Sequence, residues 1–260
     1  MKMNELKLVY FSPTGTTRKV IMEAARSIDL KSVSHDFSVY KEKKTVLKFA
    51  DNDFALFATP VYGGRIPRLF TEYLENISGN HTPAAIIVTY GCRAYDDALL
   101  ELKETVESHG FKVIGAAAFP VEHSLYPLAG ARRPNKSDLK IIGEYGIELN
   151  RRIRKADSFD SFEIQVPGNS PYKKYSKNSL FPGVDVSLCT ECKSCAKACP
   201  AGAISMKDPK KTDKKKCIGC MKCVRSCRQN ARAANPLKLR PLEWYLKKKC
   251  QSDKKEEIFL

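Results

Sequence analysis

The stretch CTECKSCAKACP at residues 189–200 is echoed by CIGCMKCVRSC at residues 217–227. Both runs have the spacing C-x2-C-x2-C-x3-C. A shift of 28 residues carries Cys189, Cys192, Cys195 and Cys199 onto Cys217, Cys220, Cys223 and Cys227, and Ala203 onto Ala231. This is an internal repeat, and two copies imply two like sites. Three thiolates spaced every third residue on a short turning loop suit three irons of one [4Fe-4S] cubane. The fourth, just inside a following helix, is aimed elsewhere, and in this pattern it ligates the other copy's cluster. Cys189, Cys192, Cys195 and Cys227 are therefore assigned to cluster 1, and Cys217, Cys220, Cys223 and Cys199 to cluster 2.

Zinc fits this pattern less well. Structural zinc sites use paired C-x2-4-C knuckles, or one such knuckle with histidines. Here that would leave thiols over, and all four histidines precede residue 124. Disulfides suit neither the spacings nor the confinement of the cysteines to one segment. Residues 184–235 resemble a bacterial-type two-cluster ferredoxin, down to Cys199-Pro200-Ala201-Gly202-Ala203-Ile204 after the first run. Where that family usually has a proline after the last cysteine, this chain has Arg228. A positive charge there is expected to favour the more negative reduced cluster and raise its potential.

The chain of 260 residues has room for one domain of roughly 150 residues and a small one that depends on its metal. A hydrophobic content of 43% is that of a globular protein. No run approaches the roughly 18 apolar residues a membrane span needs, and no secretory leader is visible. The expected location is cytoplasmic, which agrees with thiolate-ligated clusters. The net charge of +16 is unevenly spread. Residues 1–160 hold 23 Lys+Arg against 20 Asp+Glu, whereas residues 161–260 hold 22 against 9. The basic half is thus the cluster half. Part of its excess offsets clusters whose sites carry a charge of roughly −2 each; the rest is available to steer an acidic partner protein, nucleic acid or an anionic membrane surface.

Toward the N-terminus, Leu6 to Phe11 is β-rich and ends abruptly at Ser12-Pro13-Thr14-Gly15-Thr16-Thr17, after which Val20, Ile21, Ala24, Ala25 and Ile28 recur at helical spacing. Strand, hydroxyl-rich glycine loop and helix together make a phosphate cradle, because helix N-terminal amides and hydroxyls converge on one anion. The loop lacks the lysine of a nucleoside-triphosphate P-loop and the dinucleotide fingerprint. Further buried strands are read at 54–58, 84–88 and 113–119, and helices near 69–74, 98–109 and 136–155, the last with Leu139, Ile142, Ile147, Leu149 and Ile153 on its apolar side. The strands at 54–58 and 84–88 run into the loops 59–67 and 90–97. This alternation specifies a parallel α/β sheet with ligands at the carboxyl ends of its strands.

Residues 1–157 resemble a flavodoxin. The resemblance implies a doubly wound five-stranded parallel sheet of order 2-1-3-4-5 with FMN at the switch point, followed here by a small α+β two-cluster domain. By position, Ser12, Thr14, Gly15, Thr16 and Thr17 would hold the FMN phosphate. The loops carrying Pro60, Tyr62, Gly63 and Gly64, and Gly91, Arg93 and Tyr95, would flank the ring, with Tyr62 and Tyr95 as stacking candidates. Cys92 and Cys250 read as an apolar filler and an inert thiol.

The expected organisation is a flavodoxin-like domain at 1–157, a linker at 158–183 with a short strand at Phe162–Val166, a two-cluster domain at 184–235 and a basic tail at 236–260. An FMN and two [4Fe-4S] clusters on one chain form a converter and wire, in which a two-electron couple meets one-electron carriers. The reading is an electron carrier exchanging electrons with redox proteins that have acidic docking surfaces. The alternative is an FMN-dependent reductase of a quinone or nitro compound, fed by its clusters. Neither a nicotinamide fingerprint nor a hydrolytic constellation is visible, and the basic half lacks the interleaved aromatics of a nucleic-acid binder. Peripheral membrane contact through the basic tail is the one membrane association considered.

Overall fold

A computed structural model describes residues 3–40, 46–175, 180–250 and 254–260. Its centre is formed by β1 (Leu6–Tyr10), β2 (Ser32–Asp36), β4 (Phe54–Pro60), β6 (Thr82–Tyr90) and β7 (Phe111–Pro120), which pair in parallel in the order β2-β1-β4-β6-β7. β6 is buried along its whole length, as expected for a parallel strand covered on both faces. Two short strands, β3 (Leu47–Lys48) and β5 (Ile77–Ser78), pair beside this sheet.

Successive residues of each strand point to opposite faces. Leu6, Leu8, Leu56 and Ile87 meet α1 (Thr16–Arg26) and α4 (Lys136–Lys155), while Val9, Phe57, Ile86 and Val88 meet α2 (Arg68–Leu74) and α3 (Ala98–Ser108). α1 and α4 approach closely: a Cβ on Gly146 would lie 2.1 Å from the Ala24 carbonyl oxygen. The apolar side of α4 differs in one place from its periodicity. Ile147 is 59% exposed, and Tyr145 and Gly146 turn inward instead.

The sheet has six strands, not five. β10 (Glu257–Phe259) pairs antiparallel with β7, Ile258 facing Ala117, and so supplies partners to what would have been an open edge. The basic tail is accordingly part of the fold: α7 (Pro236–Lys249) packs through Leu246, and Arg133 bonds the Lys254 carbonyl and the Glu256 carboxylate.

The connecting segment is also fixed over its described residues up to Tyr175. Phe159 and Ile164 are buried, and Asp97 accepts from the Asn169 amide at 2.9 Å and the Lys173 amide at 2.6 Å. Residues 162–166 form no ladder; together with residues 167–175 they make an irregular strap, held at Asn169 and Lys173 to Asp97.

In the C-terminal part, β8 (Pro182–Val184) pairs antiparallel with β9 (Arg232–Ala234), enclosing α5 (Ser194–Ala198) and α6 (Lys222–Arg225). The 28-residue repeat is written into the backbone. Left-handed φ angles recur at Glu191 and Gly219 (55° and 68°), Lys193 and Met221 (62° and 61°), and Gly202 and Asn230 (58° and 52°). All three of these turns around the cysteines are copied regardless of side chain, although only three of the six residues are Gly or Asn, which adopt φ > 0 most readily.

Candidate redox site

None of the ten cysteines is in a disulfide. Cys199, Cys217, Cys220 and Cys223 line one cavity, together with Ala203, Ile204, Thr212 and Arg232. A second is lined by Cys189, Cys192, Cys195 and Cys227, together with Val184, Pro209 and Arg232. Each cavity draws three cysteines from one run and one from the other. Among the described residues no three His, Cys, Asp or Glu side chains close on a single ion. The thiols therefore surround a space instead of converging on a point, and that donor set suits a cubane better than a mononuclear metal.

The two cavities differ in surroundings. Burial, the largest effect, pushes the Cys220 and Cys223 thiols up to about 12, and the charge of Arg232 works in the opposite direction at Cys223. Cys192 is exposed, and its thiol is lowered chiefly by the Ser194 hydroxyl. The buried cavity is the one that abuts the sheet domain. Ala201 and Ile218 pack on the core formed with α2 and α3, Tyr73 donates to the Pro200 carbonyl at 3.1 Å, and Lys222 reaches the Ser38 carbonyl at 3.0 Å. Tyr62 lies there too, its phenol raised by burial and then by the nearby Cys220.

At the carboxyl end of β1, the hydroxyl loop is sorted into inner and outer residues. Ser12 braces the turn: its amide donates to the Ser38 hydroxyl at 2.5 Å and its own hydroxyl accepts from the Arg18 amide at 2.9 Å. Thr17 is buried against Thr89, hydroxyl to hydroxyl at 2.7 Å. Thr14, Gly15 and Thr16 remain toward solvent, Gly15 holds φ at 89° with open space over it, and α1 starts without a side-chain cap. Uncapped first-turn amides beside two hydroxyls are a donor set that fits a phosphate.

The ring-side candidates divide. After Pro60, at the end of β4, Tyr62 and Arg65 exchange backbone hydrogen bonds of 2.9 and 3.3 Å across Gly63 and Gly64, whose φ angles of 64° and 89° make the tight turn. That turn presents half-buried Tyr62 toward the cluster domain. Tyr95, by contrast, is 6% exposed; it stacks edge-on with Tyr90 and donates to Glu257 of β10 at 2.6 Å. The expectation that Tyr95 stacks on a flavin is corrected: β10 covers it, and it is a core residue at the start of α3. Gly91 is required by packing, since a Cβ there would lie 2.2 Å from the His123 ring. Arg93 pairs with Asp96. Cys92 is buried against the Val121 carbonyl, and Cys250 reaches the Gly91 carbonyl at 3.4 Å; burial pushes both thiols up, as fits inert fillers.

One group escaped sequence reading. Arg65 makes a bidentate pair with Glu101, both contacts 2.7 Å, and its guanidinium lies over the rings of Tyr172 and Tyr175. Glu101 also accepts from the Ile66 amide at 3.0 Å and the Tyr175 hydroxyl at 2.9 Å. This cluster ties the turn at 62–65, α3 and the strap into one unit. Isolated charges 36 residues apart leave no local pattern to find.

Residues 188–232 match the family model described as a 4Fe-4S dicluster domain. No curated protein matches the chain. Among solved structures, rubredoxin oxygen:oxidoreductase from Desulfovibrio gigas aligns at 12% identity and a TM-score of 0.44, over 59% of this chain and 37% of that one. A Streptococcus flavodoxin (strain TIGR4) aligns at 17% and 0.41, over 56% and 98%. Fusobacterium nucleatum flavodoxin bound to flavin mononucleotide aligns at 17% and 0.40, over 58% and 99%. This chain thus spans 37% of the length of the flavodiiron-type structures it matches. The strand order 2-1-3-4-5 is itself the flavodoxin-like doubly wound arrangement. The chain therefore joins a sheet domain of flavodoxin-like order to a 4Fe-4S dicluster domain.

Proposed function

We propose that the chain is an electron-transfer iron–sulfur flavoprotein. Cys217, Cys220, Cys223 and Cys199 would hold the cluster next to the sheet domain, and Cys189, Cys192, Cys195 and Cys227 the outer one. Thr14, Gly15, Thr16 and Thr17 would hold the phosphate of FMN, with Tyr62 and the turn at Gly63 and Gly64 beside its ring. When bound, FMN supplies a two-electron couple and each cluster a one-electron couple.

The observation that carries this reading is the seating of the cavity of Cys199, Cys217, Cys220 and Cys223 against the sheet domain at Tyr62, Tyr73 and Ser38. It supports an order of flavin site, inner cluster, outer cluster. Tyr62 and Ile218 exclude water between the first two, and the exposed face around Cys192, Lys193 and Lys197 is the exit toward a partner. A basic exit face suits an acidic redox protein.

Among the described residues no helix is long and apolar enough to cross a membrane, and we place the protein in the cytoplasm on the cluster chemistry. The test is to mix the dithionite-reduced protein anaerobically with an oxidised acidic ferredoxin, a quinone and a nitro compound. Fast one-electron transfer to the protein acceptor, falling with salt, is expected. Turnover with the small molecules alone would instead make the chain a reductase.

A further inference from the structure

Arg232 is 3% exposed, yet it carries a guanidinium. The 28-residue repeat places it at the position of Ile204, an aliphatic residue lining the inner cavity. Arg232 lines both cavities. Its terminal nitrogens are held by neutral groups, one donating to the Thr212 hydroxyl at 2.8 Å and the other to the Pro209 carbonyl. Thr212 lines the inner cavity and Pro209 the outer one, so the fork spans the wall between them. Nε–H is buried and has no acceptor among the described residues.

A buried cation served only by neutral partners, with one donor orphaned, is strongly destabilising unless a negative charge stands close. The cysteine cavities on either side are where such a charge would sit, since a cluster ligated by four thiolates leaves its site at roughly −2 and more negative on reduction. We propose that Arg232 is a counter-charge shared by the two clusters, with its Nε–H directed to cluster sulfur. It favours the reduced form of each cluster and weakens the repulsion between an electron on one and an electron on the other. Both potentials are therefore raised, and electrons pass between nearly matched sites. Arg228, which the sequence singles out, is exposed and is screened by water. This inference rests on the two-cluster reading.

The test uses the full chain, reconstituted anaerobically. Iron content of the wild type comes first: fewer than about four irons per chain would overturn the two-cluster reading before Arg232 is in question. With the wild type loaded, Arg232→Gln and Arg232→Lys are compared by EPR-monitored redox titration. Arg232→Gln is expected to lower the reduction equilibrium constant of both clusters at least tenfold, which is about 59 mV for a one-electron couple. Arg232→Lys, which keeps the charge, is expected to stay within about threefold of the wild type at both. Loaded Arg232→Gln with unchanged potentials, or with a shift at one cluster only, would overturn the proposal. If Arg232→Gln does not load, the lysine variant decides: loaded with near-wild-type potentials it supports a charge role, and displaced tenfold it refutes one, because a packing role predicts that lysine disturbs the site as glutamine does.

Discussion

The Tyr73 hydroxyl donates to the Pro200 carbonyl across 3.1 Å, joining α2 to the residue that follows Cys199. Burial, the main effect, raises the phenol well above its ordinary range, so it stays a donor at any physiological pH. One buried hydrogen bond thus positions a cluster-cavity cysteine against the sheet domain. Tyr73→Phe leaves the carbonyl unsatisfied and should cost about 1 to 2 kcal/mol in urea unfolding. Iron and flavin content should be unchanged, while stopped-flow transfer between flavin and inner cluster slows. Unaltered transfer would remove this contact from the electron path.

The buried Arg65–Glu101 pair makes a larger claim on stability. Its side chains are 11% and 4% exposed, and Glu101 accepts from three separate groups. Glu101→Gln leaves an uncompensated guanidinium in the interior, and roughly 3 to 5 kcal/mol is expected to be lost. Equilibrium denaturation measures it. A loss under about 1 kcal/mol would mean that the strap at residues 167–175 is not held by this pair.

His123 sets an acid limit. Burial, and secondarily the charge of Arg93, push its imidazole down to about 4, and Nδ1 accepts from the Leu125 and Tyr126 amides, which requires the neutral ring. A depressed folded pKa means that the unfolded chain takes up the proton first. Stability is therefore full above about pH 6.5 and declines as pH falls toward 4, by about 2 kcal/mol between pH 7 and 5. His123→Gln should flatten that slope in urea titrations at pH 5 to 7, a window above the carboxylate range. An unchanged slope would assign the acid sensitivity to other groups.

Thr16 and Thr17 separate binding from folding. Thr16→Ala removes a solvent-side hydroxyl and should weaken FMN about tenfold, roughly 1.4 kcal/mol, with little change in unfolding. Thr17→Ala also breaks the buried contact with Thr89 and should lower stability. Flavin fluorescence titration reads the first effect and urea unfolding the second. Equal affinity in wild type and Thr16→Ala would take that hydroxyl out of the phosphate site.

Much of this was legible because it is local or periodic. The cysteine spacing and its 28-residue copy are read directly, and the strands at 54–58 and 84–88 announce themselves as continuous apolar runs. What escaped depends on distant partners. β10 is three residues long, and nothing in its own composition says that β7 has an edge to offer. Tyr95 carries the same local signal whether it faces a ligand or a sixth strand. Arg65 and Glu101 meet only once α3 is docked. Arg232 looked like one more basic residue in a basic half, whereas its burial between two cavities follows from how the repeats fold onto each other.

The central claim is that one chain holds a flavin and two four-iron clusters. Anaerobic reconstitution followed by iron, zinc and acid-released flavin determination, with the absorption spectrum, tests it most directly. The account predicts about eight irons and one FMN per chain, with broad thiolate-to-iron absorption under the flavin bands. Fewer than about four irons with stoichiometric zinc in their place, and no yellow chromophore released by acid, would contradict it.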